Sequence, residues 1–293
     1  MEIKAYQNSF LSLKRGSGLD FPRHVHIETQ AICNAACNFC PYPSLERKGE
    51  VMPTELFEKI IDDLSAIPRL HKFQLSPFKV NEPLMETRLY KFLDLIKQKL
   101  PNANITLTTN ASLLNDHHIK NLSTQGLGYL WISFNDHREN KYQETMKLPF
   151  YRTLNNLQNL HQAKENGLFK SRVVLSRVGD GTIDDQEFAG WVKKRFPLFE
   201  VSIFPRGEWM GQVDNKHKYQ SPLECGCSRW FELSITATGR VALCCMDGQA
   251  EHPIGDVRLN SVLEIYNSNN YRQLRSSMES RQGIEFCEDC SFL

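Results

Sequence analysis

Strand-like and helix-like stretches alternate about six times between residues 24 and 206, and this rhythm restricts the fold more than any other feature of the chain. HVHIET, HKFQLSPF, NITLTTN, LGYLWISFN, SRVVLSRV and FEVSIFP are rich in β-branched, aromatic and aliphatic residues and read as strands. Between them, TELFEKIIDDLSAI, TRLYKFLDLIKQKL, NDHHIKNLSTQ, FYRTLNNLQNLHQAKENG and DDQEFAGWVKKRF carry apolar residues at helical spacing. Thr54 is placed to N-cap the first of these and Asn115 the third, and Gly167 to close the fourth. Such alternation predicts an α/β fold with a parallel sheet and outer helices. Right-handed crossovers would curl it into a partial (β/α)6 TIM-like barrel.

After residue 206 the pattern changes. Residues 207–224 are polar, with Gly and Pro, and read as a linker. FELSITATGRVALCCM predicts a β-hairpin turning near Thr238-Gly239, and SVLEIYNSNNYRQLRSSMES predicts a helix. The expected domains are an N-terminal extension at 1–23, the barrel at 24–206, and a small C-terminal hairpin-plus-helix unit at 225–293 after the linker. The 293 residues carry a net charge of +1 with acids and bases interspersed. That argues against a general electrostatic grip on nucleic acid or an anionic membrane. No apolar run reads as a signal peptide or a membrane span, so a cytoplasmic location is expected.

Nine cysteines fall into two groups. A reducing cytosol and a chain able to bury its own core make metal or iron–sulfur ligation a better reading than disulfides. Cys33, Cys37 and Cys40 form a CxxxCxxC loop after the first strand, on the side where barrel active sites lie. Structural zinc usually takes four ligands. Three thiolates on a [4Fe–4S] cluster leave one iron open for another ligand. In the second group, Cys287 and Cys290 form a CxxC, and Cys227 and Cys244 flank the hairpin. These four could close an iron–sulfur or a zinc site. Cys225 competes with Cys227 for the first place and Cys245 with Cys244 for the second. His24 and His26 share one strand face and read as ordinary polar positions.

The CxxxCxxC spacing, with Phe39 before its last cysteine, resembles the radical S-adenosylmethionine (SAM) enzymes. The resemblance implies that Cys33, Cys37 and Cys40 hold a [4Fe–4S] cluster whose free iron chelates SAM. One electron from a flavodoxin- or ferredoxin-type donor would then cleave SAM to a 5′-deoxyadenosyl radical that takes a substrate hydrogen. It also implies cofactor-binding positions. Phe39 and Tyr42 would be among them. Asn81, Glu82 and Pro83 in KVNEPL match the end of the family's Gly-Gly-Glu-Pro-like stretch. Thr109 and Asn110 match its Thr-Asn-Gly, with Ala111 for the glycine. Ser133 and Asn135 follow on the fourth strand. Arg172, with Arg177 as the alternative, would meet the SAM carboxylate. The order of cysteine, hairpin, helix and CxxC is similar to the SPASM/Twitch auxiliary-cluster domain. That similarity implies a second [4Fe–4S] cluster on Cys227, Cys244, Cys287 and Cys290.

The expected function is therefore a radical SAM oxidoreductase, dehydrogenase-like, that oxidises or rearranges a small metabolite in natural-product or cofactor biosynthesis. Two alternatives remain. One is a radical SAM enzyme that cross-links or epimerises a ribosomal peptide, although residues 1–23 are too few for the extra peptide-binding domain such enzymes often carry. The other is a zinc-binding, non-enzymatic scaffold.

Overall fold

The computed structural model describes residues 3–214, 224–277, 279–288 and 290. Its centre is a single nine-stranded sheet. Six parallel strands follow chain order: β1 (His24–Ile27), β2 (Phe73–Ser76), β3 (Ala103–Thr109), β4 (Tyr129–Ser133), β5 (Arg172–Gly179) and β6 (Glu200–Pro205). Helices α2 (Thr54–Leu64), α3 (Leu89–Lys99), α4 (Asp116–Ser123), α5 (Glu139–Met146), α6 (Phe150–Glu165) and α7 (Ile183–Arg195) fill the crossovers. This is the partial barrel that the alternation predicts.

Strand alternation explains why the barrel closes around polar groups. Val25, Leu75 and Ile105 lie side by side, as do Leu107, Leu130 and Val173. These rows join one core with Phe57, Ile60, Ile61 and Leu64 of α2 and Phe92, Leu93 and Ile96 of α3. Burying each such side chain contributes about 1.5–3 kcal/mol. The opposite side of the strands carries His26, Ser76, Thr106 and Ser133. There Ser76 Oγ lies 2.5 Å from Thr106 Oγ1, and His24 Nε2 lies 2.8 Å from Ser76 Oγ.

The C-terminal hairpin does not form a separate sheet. β7 (Glu232–Ile235) pairs in parallel with β1, and the antiparallel strands β8 (Arg240–Ala242) and β9 (Pro253–Asp256) continue outward. The turn falls at Gly239, whose φ of +89° suits glycine.

Several local expectations change. Pro53, not Thr54, is the N-cap of α2; Thr54 is its first residue and its hydroxyl accepts from Arg88. Asn115 caps α4 as predicted, accepting from His118 N, and Gly167 follows α6 with a φ of +72°. The single C-terminal helix is two, α8 (Val262–Tyr266) and α9 (Asn269–Ser277). Fully buried Arg275 holds the break: its guanidinium stacks on Tyr266, 3.6 Å from the ring centroid, and donates to the Tyr266 and Leu19 carbonyls. A short α10 (Glu285–Glu288) is the last element among the described residues. The N-terminal stretch contains α1 (Ile3–Arg15), whose Phe10 meets Trp230 and Phe231 edge-on. Of the predicted linker, 215–223 lies outside the described residues.

Candidate active site

Beyond β1 the chain turns into the cysteine loop, which α5 supports from behind. Asn38 N donates to Thr145 O at 3.0 Å, and Cys37 Sγ lies 3.6 Å from Met146 Sδ. Cys33, Cys37 and Cys40 all line one cavity of about 460 Å³. Thr109, Ser133, Val178, Phe204 and Pro205 also line it, which places it at the C-terminal ends of the strands. Burial pushes the Cys33 thiol up to about 12 and Cys40 up to about 11, and raises Cys37 as well. At neutral pH such thiols keep their protons unless a metal displaces them. Three sulfur donors opening on a cavity suit an iron–sulfur cluster with one open position.

Phe39, Tyr42, Asn81 and Glu82 line the same cavity. Glu82 accepts from Thr109 Oγ1 at 2.6 Å, Asn110 N at 2.8 Å and Leu84 N at 3.1 Å. Burial outweighs these bonds and pushes its carboxyl up to about 7. Asn110 Nδ2 donates to Asn34 Oδ1 at 2.9 Å, which ties the end of β3 to the cysteine loop. Two predicted positions stand behind the lining. Pro83 is buried in a short 3-10 turn. Asn135 is buried, donating to Ser133 Oγ and accepting from Val178 N.

Arg172 requires correction. It begins β5, so it sits at the end of the strand remote from the cavity, exposed and paired with Glu200 at 2.6 Å. The alternative, Arg177, is near the correct end but does not line the cavity. Its guanidinium is engaged by Asp136, Asp180, Asp185 and the Asn135 carbonyl. Arg172 opens the strand, and only the C-terminal residues of a barrel strand reach the active face.

A second, small cavity of about 20 Å³ is lined by Cys227, Cys244, Cys287 and Cys290. Cys225 and Cys245 do not line it. Cys245 instead offers its carbonyl to Lys79 Nζ at 3.3 Å. The donor set of four thiols is complete and suits a closed cluster. Arg229 and Met246 line both cavities and so form the wall between them. Arg229 donates to Glu232 at 2.8 Å; Glu232 also takes Arg23 at 2.5 Å and lies 3.4 Å from His26 Nε2. Burial alone would raise the Glu232 carboxyl, but Arg229, His26 and Arg23 hold it well below the usual range. Ligand atoms of His24, His26 and Glu232 lie within 4.8 Å of one another, yet two guanidiniums already occupy this carboxylate, which disfavours a further cation.

Sequence reasoning missed Lys79, Trp131, Arg229 and Met246 in the cavity wall. Burial lowers the Lys79 ammonium, which donates to the Asp247 carbonyl at 2.7 Å. Its place directly before VNEP was the available signal, as was the position of Arg229 two residues beyond Cys227. Trp209 and Gly207, read as linker, also line the cavity. Arg47 of the cysteine loop pairs with fully buried Glu28 and donates to the Gly248 carbonyl, joining this loop to the second cysteine group.

An open α/β barrel with a three-thiol loop at its active face, backed by a four-thiol pocket, defines a class of iron–sulfur enzyme. The family model for the Radical SAM superfamily matches residues 27–194, more than half of the chain, and the chain belongs to that superfamily. The model for SPASM, an iron-sulfur cluster-binding domain, matches residues 225–291. The cofactors are therefore a [4Fe–4S] cluster with SAM and auxiliary iron–sulfur chemistry in the C-terminal part. Among solved structures, BtrN in complex with AdoMet and 2-DOIA is similar, with a TM-score of 0.64 and 16% identity over 93% of this chain and 94% of that one. Streptococcus suis SuiB bound to precursor peptide SuiA gives a TM-score of 0.71 and 13% identity over 98% of this chain and 74% of that one. At these identities the likeness is one of fold. A curated relative from Pyrococcus furiosus, a tungsten-containing aldehyde ferredoxin oxidoreductase cofactor-modifying protein, is 27% identical over 112 residues. The match spans 38% of this chain and 30% of that relative. Among the described residues, no helix is long and apolar enough to cross a membrane.

Proposed function

We propose that this radical SAM enzyme oxidises a C–H centre of a small metabolite, with Cys33, Cys37 and Cys40 holding the SAM cluster and Cys227, Cys244, Cys287 and Cys290 an auxiliary [4Fe–4S] cluster. When bound, the first cluster supplies the electron that cleaves SAM to the 5′-deoxyadenosyl radical. The observation that carries the reading is the shared wall: a substrate in the larger cavity would be separated from the four thiols by Arg229 and Met246. For an alcohol, the carbon would lose a hydrogen atom to the radical, its hydroxyl proton to solvent, and one electron to the auxiliary cluster, leaving a carbonyl. Glu82, Asn81, Thr109 and Ser133 supply polar groups for SAM, and Phe39, Tyr42, Trp131 and Phe204 exclude water from the radical.

A precursor peptide is the second reading, supported by the fold likeness to SuiB, solved with SuiA. Anaerobic purification with iron and sulfide counting tests the proposal first. About eight irons are expected, falling to about four in a Cys33→Ala/Cys37→Ala/Cys40→Ala variant that no longer forms 5′-deoxyadenosine. Zinc without iron after reconstitution would refute it. Small alcohols and peptides offered to the active holoenzyme then separate the two readings by which one accelerates 5′-deoxyadenosine release.

A further inference from the structure

The four-thiol pocket has an unusual lining. Besides the cysteines it presents Met210, Trp230, Leu243, Met246 and Phe286, and two cations, Arg229 and Arg281. Arg281 is fully buried. Among the described residues, no acidic side chain lines this cavity. Glu232, which holds Arg229 and is shared with Arg23, stands outside the lining.

Charge balance gives this arrangement a consequence. Four thiolates around an oxidised [4Fe–4S] core leave a formal dianion, and accepting one electron makes a trianion. Adding negative charge in an apolar, low-dielectric pocket is costly unless cations stand beside it. Potentials of such clusters span a wide range and follow net charge, hydrogen bonding to sulfur and solvent exposure. A purely structural cluster gains little from favouring the reduced state. An electron acceptor requires it.

Resting on the two-cluster reading above, we propose that Arg229 and Arg281 raise the reduction potential of the auxiliary cluster and thereby set it up as the acceptor of the substrate's electron. Arg229 acts from the wall shared with the substrate cavity, and Arg281 from within the second pocket alone. The step they favour is the one-electron reduction of the oxidised auxiliary cluster, with the substrate radical as reductant and its proton released to water.

The test is potentiometric EPR on the anaerobically prepared holoenzyme, taking the signal that SAM leaves unchanged as the auxiliary cluster. Arg229→Gln and Arg281→Gln should each lower that potential. The reduced-to-oxidised ratio at fixed poise should fall about tenfold, or ~59 mV for a one-electron couple. The SAM-responsive cluster serves as the internal reference and should move much less. Arg229→Lys and Arg281→Lys keep the charge and should recover most of the shift. Arg281→Met provides a second neutral replacement suited to a buried site. An auxiliary potential unmoved in variants that retain about eight irons would overturn the role of the arginines while leaving two clusters in place. Loss of the auxiliary iron from every neutral variant would also overturn it, since the arginines would then hold the cluster and not tune it. About four irons in the unsubstituted chain would instead refute the two-cluster reading itself.

Discussion

Glu82 faces the cavity with three hydrogen-bond donors on its carboxylate, yet burial still carries it up to about 7. A hydrogen-bond donor arriving beside it, such as an N–H of bound SAM, stabilises the ionised form and lowers that value. The sign follows from linkage: binding favours the deprotonated acid, so affinity is flat above about pH 7 and falls as pH drops below it. SAM binding measured by calorimetry should weaken by up to about tenfold per pH unit on the acid side. Glu82→Gln should bind more weakly at pH 8 and lose the pH dependence; a variant that keeps the wild-type profile would place the titrating group elsewhere. Close by, Ala111 holds a φ of +58° at the position where the family's motif has glycine. A left-handed conformation costs an L-residue about 1–2 kcal/mol, offset in part by the greater unfolded-state freedom of glycine. Ala111 is fully buried, and losing its methyl costs about 0.8 kcal/mol. Ala111→Gly should therefore leave stability within about 1 kcal/mol in urea unfolding, and a larger loss would contradict this.

Among the elements, α1 shows how much packing a sequence pattern can conceal. Phe10 is buried against Trp230 and Phe231, and a Cβ on Gly226 would fall 2.1 Å from its ring. The helix thus packs beside the second cysteine group from the other end of the chain. Phe10→Ala should cost about 3–5 kcal/mol in equilibrium unfolding, and a cost under 1 kcal/mol would show that α1 docks only loosely. The strands and major barrel helices were legible because their periodicities are set by burial on one face, as in the Val25, Leu75 and Ile105 row. The helix α5 was not, because among its residues only Tyr142 and Met146 are buried and its task is to back the cysteine loop. The break between α8 and α9 was equally hidden, since Arg275 holds it by tertiary stacking and carbonyl contacts that no local signal announces. In the candidate site the cysteines were legible from spacing, while Arg172 was misplaced because strand direction decides which end meets the cavity.

At the scale of the molecule, the sequence suggests a barrel and a small C-terminal domain joined by a linker, but the hydrogen bonds run without interruption from β6 to β9. The parallel pairing of β1 with β7 spans His24–Ile27 and Glu232–Ile235, a long-range contact that local patterns do not encode. Arg47 bridges Glu28 and the Gly248 carbonyl, and Lys79 reaches the Asp247 carbonyl, so the cysteine loop and the second cysteine group are clamped at the active face as well. Removing one partner from a buried ion pair leaves an uncompensated charge and costs about 3–5 kcal/mol. The two halves therefore form one cooperative unit. Urea unfolding of the anaerobic holoenzyme should give coincident midpoints by far-UV circular dichroism and by iron–sulfur absorbance, and Arg47→Ala should lower both together. Two separated transitions, with Arg47→Ala moving only one, would mean that the hairpin is an independent domain whose pairing with β1 carries little of the stability.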